Sequence, residues 1–197
     1  MIRILTLLLL LALPLRAEDF PATFAVTGVA ANDVLNIRAR PDAGSAIIGA
    51  IGPDATGVEV LGTSGNWAIV NTEEGSGYAS LRFLAREPGP SWGALRTPLT
   101  CLGTEPFWAL EIDPGARLTT FQTPEMPEPM TNSMTEIWPA GPWGTTAALT
   151  LQQGLGVLQP RQCSDGMSDR SYGIAIDIFS RSEDRPRLTG CCSLGLR

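Results

Sequence analysis

The chain has 197 residues, with 20 acidic and 14 basic residues and a net charge of −6, and it contains neither histidine nor lysine. Without these residue types the sequence excludes Ser-His-Asp and Cys-His nucleophile pairs, imidazole metal sites, lysine Schiff bases and the lysine of a phosphate-binding loop. The acidic balance and the lack of a basic run argue against a nucleic-acid partner, because binding phosphate requires a positive field.

Residues 1–17 predict a signal peptide. Met1–Arg3 is a short positive segment, Ile4–Leu13 is an apolar run, and Ala17 places a small residue where a signal peptidase would cut. The apolar run is too short to span a bilayer stably. We therefore expect a periplasmic or secreted protein, cleaved near Ala17 and without a membrane span after cleavage. The sequence leaves the oligomeric state open.

The remainder divides into two domains, 18–85 and 101–197. Residues 86–100 contain three Pro and two Gly, which predicts a linker or an extended strap. All four Cys lie beyond this segment. Turn residues recur at intervals of roughly 8–12 residues and no long helical pattern occurs, which indicates an all-β fold of small barrels or sandwiches.

Short apolar runs in the first domain predict its strands. The alternation in 34–38 places Leu35 and Ile37 on one face of a strand and Asn36 and Arg38 on the other. Residues 58–61 and 67–70 are expected to pair as a hairpin. The remaining predicted strands are 24–29, 47–51 and 78–80, and a short turn at 81–84 closes the domain.

The strings LNIRARPDAGSAIIGAIGPDA, VEVLG, NWAIVN and GSGYASLRFL follow one another in this domain. In this order they resemble a bacterial Src-homology-3-like (SH3b) domain over residues 22–84. The resemblance implies a five-stranded barrel, and a role in binding cell-wall peptide or a partner protein in the cell envelope. The core or near-core positions that it implies are Leu35, Ile37, Ile48, Val60, Trp67, Val70, Tyr78 and Leu84.

Five polar and aromatic residues of this domain are candidate ligand-binding residues: Asn36, Arg38, Arg40, Trp67 and Tyr78. Peptide recognition by such domains uses a groove lined with aromatic rings, so Trp67 and Tyr78 either face a ligand or pack in the core. Residues 18–85 hold eight acids and three arginines. Arg38 and Arg40 are the predicted contacts for a peptide carboxylate.

The four cysteines predict disulfides, because an exported chain with an even number of Cys favours them and no zinc-type spacing occurs. A bond between the adjacent Cys191 and Cys192 would close a strained ring, so these two residues are expected to have different partners. We favour Cys163–Cys191 with Cys101–Cys192, and the swapped pairing stays open. Loop closure makes these bonds worth about 3.5 and about 4.5 kcal/mol, respectively.

Three strings surround these cysteines: CLGTEPFWALEI at 101–112, CSDGMSDRSYGIAIDI at 163–178 and TGCC at 189–192. Together they resemble, over residues 101–194, an uncharacterised family of exported bacterial proteins, and this resemblance implies no activity. The predicted strands are 107–112, 116–121, 147–151, 172–179 and 187–191, and the proline-rich residues 123–130 predict an extended loop. We expect a small antiparallel β domain stapled by disulfides.

The polar loop 164–170 is the second candidate site. Asp165, Asp169 and the distant Glu105 could bind Ca²⁺ or act as an acid–base pair on a glycan. The spacing lacks the pattern of a calcium loop, so we expect neither a metal nor another cofactor. The favoured interpretation is structural: Asp165 caps a turn and Arg170 pairs with Glu105 or Asp169.

Three functions remain open. The first is an exported binding or adaptor protein whose SH3-like domain contacts peptidoglycan peptide or an envelope protein, and this non-enzymatic function is the favoured prediction. The second is a hydrolase that uses Glu105, Asp165 and Asp169. The third is an envelope stress or inhibitor protein that acts through the second domain.

Overall fold

The computed structural model describes residues 19–141, 144–152, 154–181 and 187–196; the predicted signal peptide, with its cleavage position near Ala17, lies outside them. The described residues form β-strands and two 3-10 turns, with no α-helix among them. The all-β fold predicted from the sequence is thus confirmed. None of the helical segments in this part of the chain is long and apolar enough to cross a membrane.

The first domain consists of eight short strands in two sheets. A three-stranded sheet has the order β4-β1-β8, and a five-stranded sheet has the order β3-β2-β7-β6-β5. A 3-10 turn, Leu81–Phe83, connects the last two strands. The strands are β1 (Ala22–Val26), β2 (Leu35–Arg38), β3 (Ile47–Ile51), β4 (Val58–Val60), β5 (Gly62–Ser64), β6 (Trp67–Asn71), β7 (Ser76–Ser80) and β8 (Leu84–Arg86).

The predicted hairpin between 58–61 and 67–70 forms with its first strand shifted towards 62–64, and Leu61 joins it because its N–H donates to the Ile69 carbonyl at 2.9 Å. β4 pairs with β1, and β5 forms the hairpin with β6, so that Ser64 lies opposite Trp67. The reason is the turn, which is tighter than expected because Gly65 adopts a φ of 58°. Glycine adopts this left-handed conformation at little cost, which allows a two-residue connection.

The core of the first domain contains five of the eight predicted positions: Leu35, Ile37, Val60, Val70 and Leu84. Trp67 and Tyr78 are only partly buried. Alternation explains both, since their strand neighbours Ala68 and Ala79 face the core and are fully buried.

Ile48 was also predicted in the core and is 45% exposed. The pairing of β2 with β3 shifts register between Ile37 and Arg38. Such a bulge interrupts the alternation of faces, so the apolar pattern of 47–51 does not give the direction of its side chains.

The second domain is one antiparallel sheet of nine strands, with the order β12-β11-β10-β9-β17-β16-β15-β14-β13. All neighbours in this order follow one another in the chain, except that β9 pairs with β17. The strands are β9 (Leu99–Thr104), β10 (Phe107–Asp113), β11 (Leu118–Gln122), β12 (Met130–Ser133), β13 (Ile137–Trp138), β14 (Ala147–Leu151), β15 (Gly154–Cys163), β16 (Tyr172–Ser180) and β17 (Arg187–Leu194).

The two edges of this sheet meet, so the sheet is rolled into a barrel. The edge strands β12 and β13 are separated by residues 134–136 alone. The Met134 N–H donates to the Arg117 carbonyl at 2.8 Å on one side, and the Glu136 N–H donates to Thr150 Oγ1 at 2.9 Å on the other. Rolling the sheet in this way pairs edge groups that would otherwise be open to another chain.

Two disulfides connect the strands of the barrel: Cys101–Cys192 and Cys163–Cys191. These are the pairs that the sequence analysis favours. Cys192 lies directly opposite Cys101 in the β17–β9 ladder and belongs to the barrel core. Because neighbouring residues of a strand face opposite sides, Cys191 faces away from that core, towards Cys163.

The segment 86–100, predicted as a linker or an extended strap, packs on the second domain through two of its side chains. Trp92 and Leu95 are 5% and 4% exposed and belong to the core of the second domain. A 3-10 turn, Trp92–Ala94, and a left-handed Leu95 direct both side chains inward. The strap between the domains is therefore anchored in the barrel, which restricts the relative motion of the two domains.

Candidate functional site

A groove of about 570 Å³ opens on the first domain. One wall is formed by residues 28–36, which comprise most of the connection between β1 and β2 and the start of β2, and the other is the 3-10 turn with Arg82 and Phe83. Arg38 and Trp67 also line the groove.

The groove combines positive charge with apolar surface. It is lined by two guanidinium groups, Arg38 and Arg82, and by one carboxylate, Asp33. The half-buried ring of Trp67 and the 43% exposed Val34 supply apolar area. A ligand with a carboxylate, a hydrogen-bond donor and an apolar side chain matches these groups.

Arg38 also has a structural role. Its Nη1 donates to the carbonyl of Ser45 at 2.7 Å, and Ser45 is buried. This bond ties the polar loop that follows β2 to the strand. The guanidinium of Arg82 lies over the ring of Phe83, with Cζ 5.4 Å from the ring centroid. Arg82 is exposed to solvent. Arg82 is thus the cation of the groove that is more accessible to a ligand.

Three of the five predicted ligand-binding residues lie together in this groove: Asn36, Arg38 and Trp67. Arg40 is exposed outside its lining, and Tyr78 lies on β7 opposite Arg38 in the ladder. Arg82 was missed because 81–84 was interpreted only as a closing turn. Its signal in the sequence was that it is the third arginine of an otherwise acidic domain.

A family model described as bacterial SH3 domain matches residues 33–85. Within the first domain, residues 33–85 are a bacterial SH3 domain, and the first domain is called the SH3 domain from here on. The match includes most of the groove lining, from Asp33 to Phe83, whereas β1 and the start of the groove wall precede it. Comparison of the chain with curated proteins and with solved structures gives no match.

The second candidate site, the loop between β15 and β16, is organised around Asp165. Its Oδ1 accepts hydrogen bonds from the N–H groups of Met167 and Ser168 at 3.0 and 2.9 Å. Its Oδ2 accepts from the Ser168 and Tyr172 hydroxyls at 2.9 and 3.2 Å. Burial raises the pKa of Asp165, but these four hydrogen bonds outweigh burial and hold the pKa below its ordinary value.

Arg170 does not make the expected ion pair with Glu105 or Asp169; the ion pair found among the described residues is Arg187–Asp177. The guanidinium of Arg170 instead lies over the ring of Tyr172, 5.9 Å from the ring centroid. The Nε of Arg170 is buried without a hydrogen-bond partner. The physical reason is that the loop turns Asp169 towards the SH3 domain, where its backbone is used.

This loop docks on the SH3 domain. The Asp169 N–H donates to the Glu74 carbonyl at 3.1 Å, and the Ser171 N–H donates to Ser76 Oγ at 2.9 Å. Gly75 and Asp169 form a parallel bridge. The loop that the sequence offered as a catalytic or calcium site is therefore an interdomain contact, and the described residues contain no group of three or more acidic or cysteine side chains arranged to hold a metal.

Proposed function

We propose that this chain is an exported binding or adaptor protein whose SH3 domain binds a peptide of the cell wall in the groove between Arg38, Trp67 and Arg82. The observation that carries the proposal is the presence of two guanidinium groups and an indole in one groove of a bacterial SH3 domain. The two disulfides are compatible with export, because they form and persist in oxidising compartments.

The groove fits a short peptide that carries a free carboxylate. The exposed guanidinium of Arg82 can bind a carboxylate with two parallel hydrogen bonds. Asp33 can accept a hydrogen bond from an amino group of the same peptide, and Trp67 offers its ring to an aliphatic stem. Peptides of the cell wall combine these three features, and so do exposed tails of envelope proteins.

The surroundings of the three candidate carboxylates, Glu105, Asp165 and Asp169, favour a binding function over a hydrolase. A general acid needs a raised pKa, whereas the hydrogen bonds to Asp165 lower its pKa. Asp169 contacts the SH3 domain through its backbone, and Glu105 is exposed in the turn between β9 and β10. We assign these residues structural roles and no catalytic one.

Co-sedimentation with purified peptidoglycan tests the proposal. We expect the protein to pellet with the polymer, and Arg82→Gln to weaken binding about tenfold, the effect of losing about 1.4 kcal/mol of charged hydrogen bonding. Arg40→Gln is the matched control, because it removes the same charge from outside the groove. Protein that stays in the supernatant would defeat the cell-wall ligand, and equal losses in both variants would defeat the groove.

A further inference from the structure

A second cavity, of about 230 Å³, lies inside the barrel of the second domain. Its lining comes from seven strands, β10 to β12 on one side of β9 and β14 to β17 on the other. They include β12 and β14, which are far apart in the order of the sheet and meet here because the sheet is rolled. The apolar lining residues are Leu110, Phe121, Met130, Leu151, Ile178 and Leu188.

Exposure increases along these walls, which shows that the cavity opens to solvent. Leu110 and Ile178 are 1% and 5% exposed and form the floor. Phe121, Leu151 and Leu188 are partly buried and pack against the core. Met130, at 37% exposed, marks the opening. The interior of a barrel of about eight strands is wide enough to hold one small molecule where the side chains do not fill it.

The chemistry of the lining selects an uncharged ligand. The described residues that line the cavity include no acidic or basic side chain, although the whole chain carries 34 charged residues. Thr119, Asn132 and Gln152 add uncharged polar groups. A charged group in such surroundings would lose its hydration without gaining a partner.

We propose that the second domain binds a small, uncharged, largely hydrocarbon molecule in this cavity. An apolar cavity on the order of 150 Å³ stays dry and holds a benzene ring, so the larger cavity here admits a short acyl chain or a substituted ring. This site lies in the second domain and does not depend on the peptide groove of the SH3 domain.

The uncharged fluorophore N-phenyl-1-naphthylamine is a suitable probe. It is titrated into protein that starts at residue 19, because the apolar residues 4–13 would themselves take up the fluorophore, and both cores lie within the remaining chain. We expect a saturable rise in fluorescence with one site per chain.

A competition experiment tests the preference for an uncharged ligand. Octan-1-ol should displace the probe, and octanoate should do so about tenfold less well, because its carboxylate must be partly dehydrated. No saturable rise would overturn the proposal, and equal displacement would overturn the assignment to an uncharged ligand.

Two cavity variants and one control localise the binding. Leu151→Trp fills the cavity from one wall and Met130→Trp narrows the opening, and each should weaken probe binding about tenfold or more, as expected when overpacking competes with a ligand. Because Met130 is partly exposed, its variant keeps the test valid if Leu151→Trp fails to fold.

Phe179→Ala is the control, since Phe179 neighbours Ile178 on β16 but is 46% exposed and lies outside the cavity lining. It should bind the probe like the wild type. Loss of binding in this control together with wild-type binding in the folded cavity variants would place the probe on the outer surface and overturn the proposal. Peptidoglycan sedimentation, which reports on the SH3 domain, should be the same in all three variants.

Discussion

Asn71 of the SH3 domain and Ser171 of the barrel exchange two hydrogen bonds across the domain interface. Asn71 Nδ2 donates to the Ser171 carbonyl at 2.8 Å, and the Ser171 N–H donates to Asn71 Oδ1 at 3.1 Å. A single side-chain amide thus contacts both backbone groups of one residue in the other domain, and it shares the Ser171 N–H with Ser76 Oγ, which accepts from it at 2.9 Å. Together with the contacts of Asp169, this pairing holds the loop 164–171 on the SH3 domain.

Replacing Asn71 by Ala should loosen this interface. The variant leaves the Ser171 carbonyl without its Asn71 donor, whereas the Ser171 N–H keeps Ser76 Oγ as its acceptor. The free energy of unfolding should therefore fall by about 1 kcal/mol, and trypsin should cleave faster between the domains, at Arg86 or Arg96. Thermal unfolding and the cleavage rate measure the two effects. Asn66→Ala, in the exposed β5–β6 turn, is the control and should leave both unchanged. Equal behaviour of the two variants would show that the Asn71 pairing does not hold the domains together.

Arg38 and Arg40 should differ in their effect on stability, although the sequence presents them as equivalent. Arg38→Ala removes the donor to the Ser45 carbonyl and should lower the free energy of unfolding by about 1–2 kcal/mol. Arg40→Ala, at an exposed position, should change it by less than about 0.5 kcal/mol. Urea unfolding compares the two variants. A neutral Arg38→Ala would show that Arg38 is free to serve the ligand alone.

Local alternation predicted much of the fold correctly. The faces of β2 follow from Leu35 and Ile37, and the all-β class follows from the spacing of turn residues. β15 was not predicted, although at ten residues it is the longest strand, because its glycines and Pro160 interrupt the apolar pattern. The partner of β4 was also not predicted, since β4 pairs with β1, more than 30 positions earlier in the chain, and the pattern within a strand does not name a distant partner.

The site was harder to predict than the fold. Asn36, Arg38 and Trp67 meet in the groove as expected, because strand alternation places them on the face away from the core. The place of Arg82 in the groove depends on how the 3-10 turn 81–83 lies against residues 28–36, which are distant in the sequence. The docking of Ser171 on Asn71 joins residues 100 positions apart, and such a contact leaves no periodic pattern in the sequence.

Gly103 and Trp108 of the GTEPFW motif should be linked through packing. Trp108 is 4% exposed, lies opposite Gly103 in the β9–β10 ladder and stacks on Phe121 with ring centroids 6.1 Å apart. A Cβ at Gly103 would overlap the indole nitrogen. Gly103→Ala should therefore lower the free energy of unfolding by about 2–3 kcal/mol.

Urea unfolding of Gly103→Ala beside Gly141→Ala measures this effect. A Cβ at Gly141 meets no atom of the described residues within 4 Å, so that variant should remain within about 0.5 kcal/mol of the wild type. If Gly103→Ala were as stable as Gly141→Ala, the indole would have room to move, and the close approach would not explain this part of the motif.

Asp165 should make the stability of the protein depend on pH. Its pKa is lower in the folded chain than in the unfolded chain, so its contribution is fully present above the unfolded value, about 3.9, and disappears as the pH falls through the folded value. At pH 7, Asp165→Asn should lower the free energy of unfolding by about 1 kcal/mol, a modest effect because the carboxylate is only partly buried.

Asp169→Asn is the matched control, since Asp169 acts through its backbone. Urea unfolding of both variants and the wild type between pH 7 and about pH 3 should show the gap for Asp165→Asn closing as the pH falls below the unfolded value. A gap that stays constant over this range would mean that the charge of Asp165 does not stabilise the loop.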